Sequence, residues 1–284
     1  MSVNKKSYLG SENELFDFVT SSRRANNFFE VGAVKLLLPL SSCIMHKKNF
    51  VEPAVVTVAL LLITGIIWIT DADRFITSLV PRDHIIAAAL PECNRAWPVG
   101  NIFPWNILYK LAPVPAVLLA VSALLVFLIG FLKNQLSPWR KKAIFILLLL
   151  AIGPGLVINV VLKGHLGRPR PRQIVEFGGK YEFTQCWQPG TGGSNSSFPS
   201  GHAAIAFFLM APWFILRDKK PRYAEAFLIS GLLFGTLVGI ARILQGGHFV
   251  SDVLWAGGLL YLLGNFLGLA LGVYKGGPAD QCSG

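Results

Sequence analysis

Long stretches of this chain pass with hardly a charged side chain, at roughly 54–70, 111–132, 143–163, 202–216, 226–244 and 249–273. A helix needs about 20 mostly apolar residues to cross the hydrocarbon of a bilayer. Apolar residues make up 53% of the chain and charged residues 14%, against roughly 25% charged in soluble proteins. An aqueous fold of this length has no core large enough to hide so much apolar surface. The expected fold is therefore all-α, a polytopic membrane helix bundle with about six transmembrane helices. The fourth run is short, and Pro212 and Trp213 suit its interface end. The stretch 28–45 is apolar but interrupted by Glu30 and Lys35, and reads as an N-terminal interfacial helix. An entry turn of the first span remains the alternative. The expected organisation is an N-terminal segment 1–53, a transmembrane domain 54–275 and a short tail 276–284.

Short loops rich in Lys and Arg favour the cytoplasm. Lys5, Lys6, Arg23, Arg24, Lys47 and Lys48 precede the first span. Lys133, Arg140, Lys141 and Lys142 follow the second, and Arg217, Lys219, Lys220 and Arg222 follow the fourth. Alternating spans bring all three groups to one side, with both termini inside, and no cleavable signal peptide is expected at the start. The segments 71–106, 164–201 and 245–248 then share the outer face. Arg168, Arg170, Arg172 and Lys180 break the charge rule there and call for another explanation. The net charge of +11 can signal nucleic acid, anionic lipid or a phosphorylated substrate. Nucleic acid is the weaker reading, because the basic residues sit in separate loops and form no continuous stripe.

Three motifs fall at helix ends on that outer face: Lys163 through Arg170-Pro171, Phe198-Pro199-Ser200-Gly201-His202, and Arg242 through His248 to Asp252. A phosphate monoester brings about two negative charges, and moving its phosphoryl group requires those charges to be neutralised. Lys163, Arg170 and Arg242 can do this, and arginine's planar fork suits phosphate oxygens. Ser200 and Gly201 open a helix whose first N–H groups favour an anion, and Gly201 allows close approach. His248 and Asp252 stand four apart, on one helical face. A carboxylate held to one imidazole nitrogen leaves the other as nucleophile. His202 remains to protonate the leaving oxygen and activate water. With basic side chains neutralising charge, no metal or other cofactor is called for. Arg168 offers a competing Arg-Pro register; Arg168, Arg172 and His165 read as rim charges or headgroup contacts, and His46 and His84 as unremarkable.

As a set, these motifs resemble the type 2 phosphatidic acid phosphatase superfamily, whose pattern is Lys-x6-Arg-Pro, Pro-Ser-Gly-His and Ser-Arg-x5-His-x3-Asp. The resemblance spans 163–252, and Ala241 departs from it where the pattern has Ser. It implies hydrolysis of a phosphorylated membrane lipid, with His248 as nucleophile, Asp252 orienting it and His202 as acid and base. Pro171-Arg172-Gln173, Phe177-Gly178-Gly179, Phe183-Thr184 and Ser196-Ser197-Phe198 are similar to the bacterial lipid A 4'-phosphatase branch. That branch implies a bacterial inner membrane and a periplasm-facing site. An undecaprenyl diphosphate phosphatase, a phosphatidylglycerophosphate phosphatase and a lipid phosphotransferase stay open. A lipid or anion transporter would not need His248, Asp252 and His202 together, and no internal repeat points to one.

No cysteine pair has CxxC spacing, so a zinc site is not expected. Cys93 and Cys186 fall in outer loops, and an oxidising compartment would let them pair; two free thiols are the alternative. Cys43 and Cys282 fall on the inner side. Trp97-Pro98 and Pro104-Trp105 read as an aromatic interface belt or a cover over a lipid entrance. The outer loop over the site is expected to be mobile.

Overall fold

The structure, a computed structural model, describes residues 50–89, 94–193 and 196–273. The expected interfacial helix at 28–45, the tail at 276–284, His46, Cys43, Cys93 and Cys282 lie outside those residues. Among the described residues there is no strand, only a lone bridge between Ile174 and Tyr181. The fold is all-α, as expected.

The elements run α1 (Phe50–Thr70), α2 (Ala72–Ser78), α3 (Trp105–Leu132), α4 (140–166), α5 (Gly201–Leu216), α6 (Pro221–Leu244) and α7 (Val250–Ala270). Among the described residues, five helical stretches are long and apolar enough to cross a membrane: α1, α3, the stretch containing α4, α6 and α7. They turn large apolar side chains outward, among them Leu62, Val117 and Leu233. In water that face would be untenable; against lipid tails it costs nothing. The chain is a multi-pass membrane protein.

The fourth expected span, 202–216, differs. α5 is a shorter apolar helix, interrupted by a 3-10 turn at Phe208–Met210. At about 1.5 Å rise per residue it falls short of the roughly 30 Å hydrocarbon core. It can be short because it is the buried centre of the bundle, packed on α4, α6 and α7. Ala203, Ala204, Ala206 and Ala211 are buried along it, and glycines on its neighbours admit its large rings. A Cβ at Gly235 of α6 would stand 2.1 Å from the Phe207 ring, and one at Gly264 of α7 2.3 Å from Phe214. Small residues facing large ones give the close backbone approach that membrane helices use in place of a hydrophobic driving force.

α4 carries the distortion that aims one motif. Its middle, Ala151–Leu162, is wound as a π-helix with Pro154 inside. Proline cannot supply the N–H of a regular turn, and a wider turn is one way to accommodate it. The Asn159 amide donates to the Pro154 carbonyl at 2.6 Å, satisfying an acceptor in the widened stretch. Beyond it, Asn159 and Lys163 face Gly201 at the start of α5: a Cβ at 201 would lie 2.6 Å from Asn159 Oδ1 and 3.1 Å from Lys163 Nζ.

The 167–200 segment, expected to be mobile, is tied down at several points. Gly190 and Gly192 donate to the Leu166 and Gly167 carbonyls at 2.7 Å, and Ser197 donates to Arg168 at 2.7 Å. Trp187 packs edge-on against Phe198 and Trp255, at centroid separations of 4.9 and 4.8 Å.

The packing of α6 on α5 predicts a contrast between two glycines. A Cβ at Gly231 would meet the Met210 backbone nitrogen at 2.5 Å, whereas Gly65 on α1 has nothing within 4 Å. Thermal unfolding in detergent is expected to show Gly231→Ala destabilised by about 1–3 kcal/mol. Gly65→Ala is expected to be neutral or slightly stabilising.

Candidate active site

One end of each of α3 to α7 and the short helix α2 converge on one cluster of polar side chains. At its centre is Arg168, 1% exposed. Its Nη2 donates to Asp73 Oδ2 at 2.8 Å. Nη1 donates to Asp252 Oδ1 at 2.5 Å and to Ser251 Oγ at 2.8 Å. Nε donates to the Thr184 carbonyl at 2.8 Å. The guanidinium carbon sits 4.4 Å from the Phe249 ring centroid. Reading Arg168 as a rim charge is therefore wrong. A buried cation must be paired and hydrogen-bonded, and two carboxylates with a ring of acceptors meet that requirement.

Asp252, in the first turn of α7, is fully buried. Its Oδ2 accepts from the Phe249 N–H at 2.8 Å and from the Ser197 hydroxyl. His248 Nδ1 stands 3.4 Å from the same oxygen, the pairing expected from the spacing. Burial pushes the His248 imidazole down to about 3, a lowering that Arg242 and Lys163 reinforce and Asp252 opposes. At neutral pH the ring is uncharged, as a nucleophile must be. The turn that carries it depends on Gly246, which has φ +59 and lies under the Trp97 ring, 2.3 Å from where a Cβ would be. Trp97, 1% exposed, is thus neither an interface belt nor an entrance cover. It packs on the turn that carries His248, with Phe177 edge-on at 6.0 Å.

The expected cations face this pair. Arg242 lies against Gly247, where a Cβ would meet its Nη2 at 2.4 Å. Its Nη1 donates to Gln245 Oε1 at 2.5 Å, and Gln245 in turn donates to the Gly100 carbonyl at 2.9 Å. Arg242, Lys163 and Arg170 all act electrostatically on His202. Ser200 caps α5, its hydroxyl accepting from Ala203 N–H at 3.4 Å, and its own N–H donates to the Asp252 carbonyl at 3.0 Å. Lys163, Arg170, Ser200, Gly201, His202, Arg242, His248 and Asp252 thus meet in one place. Arg172 ties the loop to the catalytic turn, its N–H donating to the Gly246 carbonyl at 3.1 Å. His165 is exposed, with Nδ1 2.7 Å from the Val161 carbonyl. Ala241, the departure from the pattern, is fully buried.

Residues 142–270 match the PAP2 superfamily. They form a PAP2 domain. The lipid A 4'-phosphatase of Francisella tularensis subsp. novicida (strain U112) is 37% identical over 147 residues, 49% of this chain and 63% of that one. Phosphatidylglycerophosphatase B of Bacillus subtilis (strain 168) is 34% identical over 145 residues, 48% of this chain and 62% of that one. The matches thus cover less than two thirds of these relatives, 63% and 62%. The crystal structure of a transmembrane PAP2 type phosphatidylglycerolphosphate phosphatase from Bacillus subtilis has a TM-score of 0.43 and 23% identity, covering 78% of this chain and 98% of that one.

Three participants escaped the motif reading. Asp73 lies on α2, outside the PAP2 match, and nothing in its local sequence marks it. Tyr109, on α3, stands between two site residues: its ring centroid is 4.7 Å from that of His202 and 4.8 Å from the Arg242 guanidinium carbon. Ser197 lies in the Ser196-Ser197-Phe198 string, where nothing local marks its hydroxyl as a donor to Asp252. Cys186 is a free thiol, fully buried, accepting from Trp68 Nε1 at 3.2 Å. Its expected partner, Cys93, lies outside the described residues. Burial pushes the Cys186 thiol up.

Arg168→Met would leave Asp73 and Asp252 buried without their shared cation. A loss of about 3–5 kcal/mol is expected, read as failure to recover folded protein or a large fall in detergent unfolding temperature. Lys180→Met, at an exposed position of the same loop, is expected to leave both readouts unchanged.

Proposed function

We propose that this chain is a membrane phosphatase that hydrolyses the phosphomonoester of a lipid through a phosphohistidine on His248. The proposal rests on one convergence: a buried imidazole, uncharged and 3.4 Å from a fixed carboxylate, faced by Lys163, Arg170 and Arg242. Asp252 keeps the proton on Nδ1, so Nε2 attacks phosphorus while the bond to the lipid oxygen breaks. His202, as the imidazolium favoured once the dianionic phosphate binds beside it, gives its proton to the departing oxygen, then as neutral imidazole takes one from the water that attacks the phosphohistidine. Inorganic phosphate leaves and His248 is restored. The cations stabilise the charge spread over the phosphoryl oxygens during both transfers.

A lipid substrate is supported by an apolar groove of about 590 Å³ beside the catalytic turn, lined by Ile76, Val80, Ile243, Val250, Val253 and Leu254. An acyl chain suits such walls, and a soluble phosphate ester would leave them empty. The likeness to a lipid A 4'-phosphatase favours the 4'-phosphate of lipid A. The likeness to a phosphatidylglycerophosphatase supports phosphatidylglycerophosphate as the second reading. The groups Arg140, Lys141, Lys142 and Arg217, Lys219, Lys220 lie at the helix ends away from the site. By the positive-inside rule that end is cytoplasmic, so the site faces the periplasm from a bacterial inner membrane, with both termini inside.

Purified protein should release phosphate from lipid A, phosphatidylglycerophosphate, phosphatidate or undecaprenyl diphosphate in detergent, fastest from lipid A. His248→Ala should lower that rate by about a thousandfold or more. Brief incubation with labelled lipid should leave an acid-labile, alkali-stable phosphoryl group on wild type only. Equal release by His248→Ala would overturn the mechanism. A faster reaction with phosphatidylglycerophosphate would move the substrate to the second reading.

A further inference from the structure

We infer that Asp73 is a positioning residue of the active site: through Arg168 and Ser251 it holds Asp252, and with it His248, in the arrangement that lets the imidazole attack. The inference rests on the proposed phosphohistidine reaction and adds to it a residue from outside the PAP2 match at 142–270.

Asp73 is the second residue of α2, a helix of seven residues that directly follows the first span. Its carboxylate is fully buried and does not serve its own helix. Oδ1 accepts the Ser251 N–H at 2.9 Å, and Oδ2 accepts the Ser251 hydroxyl at 2.5 Å and Arg168 Nη2 at 2.8 Å. Ser251 immediately precedes Asp252, so Asp73 grips the first turn of α7 by both backbone and side chain. Arg168 carries the other connection, from Asp73 through the guanidinium to Asp252 Oδ1 at 2.5 Å. The next link is Asp252 Oδ2 to His248 Nδ1 at 3.4 Å.

Charge balance shows why a second carboxylate matters. Arg168 alone would cancel Asp252, leaving the imidazole beside a neutral pair. With Asp73 the buried trio carries one net negative charge. When Nε2 bonds to phosphorus and Nδ1 keeps its proton, the ring becomes cationic. Negative charge on the far side of Nδ1 then stabilises the transition state more than the resting enzyme. In a buried site such an interaction is screened far less than in water. The substrate's phosphate lies on the cation side, so its binding should depend little on Asp73.

Kinetics of phosphate release in detergent, with lipid A and with phosphatidylglycerophosphate, test this directly. Asp73→Asn, nearly isosteric, is expected to lower kcat by about ten- to a hundredfold, as losing an outer partner of a functional ligand does. KM should stay within about twofold, because the phosphate cations are untouched. Ser251→Ala, which keeps both charges, should lower kcat by about threefold, the loss of one hydrogen bond. Asp71→Asn, two residues away and paired with Arg74, should match wild type. Wild-type kcat in Asp73→Asn, or a change confined to KM or to unfolding temperature, would overturn the inference. If Asp73→Asn does not fold, Ser251→Ala decides: an unchanged kcat overturns it. Failure of the reaction scheme itself would show separately, as equal rates for wild type and His248→Ala.

Discussion

A guanidinium closed off from solvent between two carboxylates organises one end of this bundle. Taking three charges out of water costs several kcal/mol for each ion unless every one is met by partners of good geometry. Arg168 meets that demand with Asp73, Asp252, Ser251 and the Thr184 carbonyl. These partners come from α2, from the 167–200 loop and from the start of α7. Three regions far apart in the chain can move only together, because separating any one strands a buried charge. The His248–Asp252 pair inherits that rigidity, and so does the loop beside it.

The bundle beneath supplies the rest of the geometry. α5 is short and central, and its first residues bring Ser200, Gly201 and His202 to the level of the catalytic turn. The π-wound stretch of α4 presents Lys163 to Gly201 from one side. α6 ends with Arg242 and Gln245, and the buried Trp97 braces the turn that follows. Ionised groups near a bilayer are expensive and gather where they pair or meet a charged ligand. Here they divide: Arg168, Asp73 and Asp252 satisfy one another, while Lys163, Arg170 and Arg242 lie around His202, where the proposed phosphate would bind.

Much of this site was legible because its chemistry is local. Lys163 and Arg170 sit at one helix end, Ser200 to His202 open another helix, and His248 and Asp252 share the face of a third. Spacing alone reports such relations. Arg168 could not be ranked above Arg170 in this way: both precede proline, and only burial separates a charge that organises from a charge that binds. Asp73 and Tyr109 carry no pattern at all. Trp97 looked like an interfacial ring because aromatic residues gather at membrane surfaces, and it was the packing against Gly246 that assigned it otherwise.

The sequence by itself determined that this chain is helical and embedded in a membrane, and that its phosphate-type motifs gather at one end of the helices. Apolar run length and helical periodicity are properties of contiguous residues, so they can be read without coordinates. The tertiary structure decided which arginine is buried and that a carboxylate on α2 reaches α7. Both turn on Asp73, whose partners Arg168 and Ser251 stand 95 and 178 residues away in the chain, and desolvation is a property of packing that no local pattern encodes.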